Sequence, residues 1–147
     1  MASHAAARSV FVALLTGAAL LGSAAAAESD LAQKKDAAAA AATEWLSLVD
    51  EGKYAESWAA AAELFQNAVP KGQWAEQLEG ARKPLGKVTR RELRSRAFKP
   101  SMPGAPDGQY VVIQYVTSFS NKKLALETVT PMLERDGKWR VSGYYVK

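Results

Sequence analysis

Between Asp30 and Glu51 the apolar residues Leu31, Ala38, Ala41, Trp45, Leu48 and Val49 recur at three-, four- and seven-residue steps, in an alanine-rich stretch without proline. That period is one face of an α-helix, and the spacing predicts a helix over 31–51 ended by Gly52, which tolerates left-handed backbone. Tyr54, Trp58, Ala61, Ala62 and Phe65 continue at helical spacing and predict a second helix over 54–67. Trp74, Leu78 and Ala81 define a third over 72–83, bracketed by Pro70 and Gly72 before it and by Pro84 and Gly86 after it.

Beyond Gly86 the period changes from 3.6 to 2 and the composition turns to β-branched and aromatic residues. Strands are predicted over 87–99, 109–119, 123–134 and 138–146, with a loop rich in proline and glycine after the first and the hairpin pair Asp136-Gly137 before the last. Tyr110, Val111, Val112 and Ile113 are apolar on both faces, so the second strand belongs inside the sheet. Pro131 cannot donate to a ladder, which marks a bulge or an unpaired edge. Three helices followed by four hairpin-connected strands make an α+β domain, with the helices on one face of a curved antiparallel sheet. Its predicted core is Trp45, Leu48, Trp58, Phe65, Trp74, Leu78, Ile113, Val129, Trp139, Val141 and Tyr145.

Ahead of this domain the pattern is neither helical stripe nor strand. His4 and Arg8 precede an apolar run from Val10 to Leu21, and Ala24 to Ala27 follow it as a small-residue exit. This order is that of a Sec-type export signal over 1–27, cleaved after Ala27, which leaves one domain over 28–147 in the periplasm or outside the cell. The apolar run covers 12 residues, short of the about 20 that a spanning helix needs. No membrane anchor is expected.

Composition narrows the chemistry. The chain has no cysteine, and its one histidine, His4, lies in the leader. Thiolate and Ser-His-Asp catalysis and the usual zinc sites are therefore excluded from the mature domain, and no cofactor is expected. Asp50-Glu51 and Asp107-Gly108 lack the ligand density of a calcium loop.

Charge is split along the chain. Residues 28–81 carry 4 basic against 10 acidic side chains, and residues 82–147 carry 14 against 5. Mutual neutralisation of the two halves across their packing rim accounts for this most simply. The densest basic feature is the first strand, where strict alternation sets Arg90, Glu92, Arg94 and Arg96 on one face and Arg91, Leu93, Ser95 and Ala97 on the other. Arg90, Arg94 and Arg96 are thus the candidate binding residues for an anionic ligand or an acidic envelope partner; otherwise they form a solvated face. No nucleic-acid partner is expected, because the net charge is only +4, no aromatic is interleaved among these arginines, and export removes the chain from most nucleic acid.

Trp45 through Tyr54, Ser57-Trp58, Phe65, Trp74, Pro84-Leu85-Gly86, Arg90, Pro103-Gly104, Asp107-Gly108, Tyr110-Val111-Val112 and Trp139 through Tyr145 together resemble the secreted bacterial family called domain of unknown function 4019. More distantly the chain is similar to the nuclear transport factor 2-like superfamily, in which helices fill the concave face of a curved sheet. That resemblance implies a cone-shaped fold and a tendency to form homodimers, and it transfers no catalytic motif. The function expected is a non-catalytic binding or interaction domain of the cell envelope. The alternative is a small-pocket isomerase or lyase, as some superfamily members are, with Glu92 or Glu127 as base and Tyr110, Tyr115 or Tyr145 as proton donor.

Overall fold

The computed structural model describes residues 18–147. Helices α1 (Ala18–Asp50), α2 (Tyr54–Ala59), α3 (Glu63–Ala68) and α4 (Lys71–Arg82) lead through a 3₁₀ turn (Lys83–Leu85) to strands β1 (Val88–Lys99), β2 (Tyr110–Phe119), β3 (Lys122–Leu133) and β4 (Trp139–Val146). The strands pair antiparallel in sequence order, so this is an α+β domain with an open four-stranded meander whose edges are β1 and β4.

The first helix is much longer than its apolar stripe. Ala38, Ala42, Trp45, Leu46 and Val49 are buried, whereas residues 20–30 are all exposed. Alanine-rich sequence propagates a helix cheaply once tertiary contacts nucleate one end, and this carries α1 back beyond the expected start at residue 31. Most of the expected export leader lies outside the described residues, and its last part, through Ala27, is helical and continuous with α1. Among the described residues no helix is long and apolar enough to cross a membrane.

The second predicted helix is two. The chain leaves helical geometry at Ala60–Ala62, where the buried Ala62 turns extended and donates its backbone N–H to the Val141 carbonyl at 2.8 Å. Gln66 Nε2 then caps the end of α2 by donating to the carbonyls of Trp58, Ala59 and Ala61 at 3.1–3.3 Å. This break lets the helical layer touch the edge strand β4, a demand that only the tertiary fold makes.

One face of the sheet carries the core. Val111, Ile113 and Tyr115 of β2, Val129 of β3 and Val141 of β4 pack with Ala38, Trp45, Phe65, Trp74 and Leu78. The indole N–H groups are satisfied within the helical layer: Trp45 donates to the Ser57 carbonyl at 2.8 Å, Trp74 to Ser57 Oγ at 3.0 Å and Trp58 to the Val69 carbonyl at 2.7 Å. Three of the expected core residues, Leu48, Trp58 and Trp139, are only half-buried, and Leu46 is buried instead.

Tyr145 is a clear correction, since it is 52% exposed. The register of β3 against β4 shifts between Thr130 and Pro131, with Ser142 the extra residue opposite the proline. Pro131 therefore does sit at a bulge. Ser142 Oγ donates to the Thr130 carbonyl there at 2.7 Å. One added residue reverses the alternation beyond it, so Tyr144 packs inward against Trp45, ring centroids 5.3 Å apart, and Tyr145 turns out.

Candidate functional site

The row of arginines expected on β1 is divided by the same device. Leu93 pairs with Tyr115 and Ser95 with Gln114, so Arg94 is an extra residue at a second bulge. Before it, Arg90 and Glu92 stand on the outer face with Ser118 and Val116, and Arg90 is ion-paired to Glu92. After it, Arg96 stands opposite Ile113 on the helix-covered face, where it binds Asp36 of α1 at 2.5 Å. Arg90, Arg94 and Arg96 thus do not form a single row, and the structure gives them different surroundings.

What the helix-covered face does assemble is a polar cluster around Glu127 of β3, a side chain with no solvent exposure. Its Oε1 accepts from Arg91 Nε at 2.8 Å and from Thr117 Oγ1 at 2.5 Å. Its Oε2 accepts from the Tyr144 hydroxyl at 2.5 Å and from Arg91 Nη2 at 3.2 Å. Arg82 Nη1 lies 4.0 Å from the same oxygen. Asp50, the last residue of α1, closes the cluster by accepting from Arg82 at 2.7 Å and from both terminal nitrogens of Arg91 at 2.7 and 3.0 Å.

Each partner arrives by a simple local rule. Arg82 follows Trp74 and Leu78 on the buried stripe of α4, where the sequence reading had placed Ala81; Ala81 is exposed. Its guanidinium stacks over the Phe119 ring, 5.0 Å from the centroid. Arg91 lies opposite Thr117 on β2, and Thr117 lies on the face shared with Tyr115 and Ile113. Gly86 makes the turn from the 3₁₀ segment into β1. Its φ of +78° suits only glycine, and a Cβ there would stand 2.0 Å from Ser120 Oγ.

The charges tune one another. Burial pushes the Asp50 carboxyl up, but the hydrogen bonds and charges of Arg91 and Arg82 outweigh it and hold this group below its ordinary value. Burial opposes charge on Arg91 too, and Asp50 and Glu127 more than compensate, raising its pKa further. The Tyr144 phenol is pushed well up by burial and by the adjacent Glu127 charge, so it stays protonated and donates. With two donors on each oxygen, Glu127 has no free acceptor position for a substrate proton.

The other acid–base candidates are dispersed. Glu92 is exposed on the outer face, Tyr145 is exposed, and Tyr110 is buried with its hydroxyl donating to the Pro106 carbonyl at 2.6 Å. Tyr115 is the cross-strand partner of Glu127, and burial raises its pKa, yet the phenol that reaches Glu127 is that of Tyr144. Sequence reasoning missed Tyr144, Arg82, Arg91 and Asp50 as one group. Only Arg82 had an available signal, its place four residues after Leu78 on a helical stripe.

Residues 41–144 match the family described as protein of unknown function (DUF4019). The chain belongs to that family. No curated protein and no solved structure matches it. The matched span runs from the packed part of α1 to Tyr144 and so contains the whole polar cluster.

Proposed function

We propose that this DUF4019 chain is an exported, non-catalytic interaction domain of the bacterial cell envelope, folded as a nuclear transport factor 2-like cone. The observation that carries the reading is the saturation of Glu127. A carboxylate base must offer a lone pair to its substrate, and this one is held by two donors on each oxygen. The cluster fastens α1 and α4 to the sheet, and the isomerase or lyase reading loses its best base.

An interaction domain needs an accessible surface instead, and the sheet face away from the helices provides one. Leu124 on β3 is 71% exposed there, beside the half-buried Val116 and Leu126 and the exposed Tyr145. Export is supported by the leader pattern together with the exposure of α1 around Ala27, which leaves the cleavage segment within reach of a peptidase.

Photo-cross-linking in the producing cell tests the proposal. A photoreactive residue at Tyr145 should give a discrete adduct, whereas one at Glu76 on the helical layer should give none, and the intact mass should lack residues 1–27. Equal labelling from both positions, or a mass that retains the leader, would reject it.

A further inference from the structure

The interaction reading leaves open what the sheet face recognises, and one groove on that face narrows the choice. It holds about 240 Å³ and is lined by Arg94, Val116, Leu124, Ala125, Leu126 and Lys147. Small molecules that are engulfed by a protein occupy pockets of roughly 300–1,000 Å³, so this recess fits one or two anchoring side chains of a larger partner rather than a whole ligand. Its floor is apolar. Its two charged side chains are both cationic, and among the described residues neither Arg94 nor Lys147 is ion-paired. Lys147 holds its ammonium 5.8 Å from the centre of the Tyr145 ring, at the edge of the same apolar strip. The nearby acid of β1, Glu92, is already engaged by Arg90.

From this, and resting on the interaction reading above, we infer that the outer sheet face docks an acidic protein segment that sets apolar side chains into the groove and carboxylates against Arg94 and Lys147. The bulge at Arg94 has a part in this. It adds a residue to the edge strand just where the arginine must border the groove, while sending Arg96 to the opposite face. The charge pattern argues against a second copy as occupant. Two sheets packed face to face would bring Arg94 and Lys147 of each copy against cations of the other. A head-to-tail contact with the acidic helical layer would be heterologous and would build rings or filaments rather than a closed pair. A flat anionic lipid surface would meet the cations but leave the recess between them unfilled.

Fluorescence anisotropy with the full chain and a labelled peptide of alternating leucine and glutamate tests this, with the leucine–lysine peptide as its charge-reversed counterpart. Only the glutamate peptide should bind, and raising the salt should weaken it. Arg94→Gln combined with Lys147→Gln should weaken it about tenfold, and Leu124→Ser should do so comparably. Lys34→Gln with Lys35→Gln should leave binding unchanged, and circular dichroism should confirm that every variant is folded. Equal binding of both peptides, or binding untouched by these substitutions, would overturn the inference. So would binding confined to phosphatidylglycerol vesicles, or a dimer in sedimentation that Leu124→Ser dissociates; either would still leave an interaction domain. If no probe binds and Leu124→Ser alters no association, the interaction reading falls with it.

Discussion

Glu127 is the residue on which the interior depends most. It is a fully buried anion whose stability rests on Arg91, Thr117 and Tyr144, and removing one member of such a group leaves the others desolvated and unpaired. Glu127→Gln should therefore cost about 3–5 kcal/mol in urea unfolding, far beyond an exposed carboxylate such as Glu92. Asp50 predicts the pH behaviour. Its folded pKa is lowered from an ordinary value of 3.8, so the stability it contributes is present above that value and is lost as pH falls through the folded pKa. Stability should decline below about pH 4 by this route, and Asp50→Asn should flatten that decline while lowering stability at pH 7. Chemical denaturation at a series of pH values measures both effects. An unchanged acid limb in the Asn variant would show that other carboxylates govern it.

At the scale of elements, most of the fold was legible, and the errors of facing along the strands have one physical source. Alternation located all four strands to within a residue or so, because a sheet packed on one side imposes period 2 on its sequence. A bulge is a single inserted residue with no composition of its own, and those at Arg94 and Ser142 each inverted the inferred face beyond it. Pro131 did announce its bulge, yet Tyr145 was still counted across it; Arg94 had no such herald, so Arg96 was misplaced. The polar cluster stayed hidden for a related reason. Arg82, Arg91, Asp50 and Glu127 come from four separate elements, and no spacing along the chain brings them together. Glycines give a sharp test of the connections. Gly86→Ala combines positive φ with overlap of Ser120 Oγ, and should cost more than about 1 kcal/mol. Gly80→Ala, in the open on α4, should instead stabilise by about 0.5–1 kcal/mol. Thermal melts of the two variants should move in opposite directions.

Over the whole molecule, the uneven charge of the two halves turns out to be spent at their junction and on the outside. Asp36 with Arg96 and Asp50 with Arg91 pair the acidic helices with the basic strands, while Arg94 and Lys147 remain on the outer face. The contacts between α1 and the sheet begin near Lys34, whose ammonium lies 5.8 Å from the Phe98 ring centre, and Asp36. Among the described residues, 20–30 are all exposed, about 16 Å of helix at 1.5 Å per residue. A chain beginning at Glu28 should therefore keep the stability of the full chain to within about 0.5 kcal/mol, because residues 20–27 have no buried side chain. It should lose helical circular dichroism only in proportion to the deleted residues, since the new end, Glu28-Ser29-Asp30, offers Ser29 and Asp30 as N-cap side chains. A large fall in stability on this truncation would mean that the segment before Glu28 packs against the domain, and that export would have to preserve it rather than remove it.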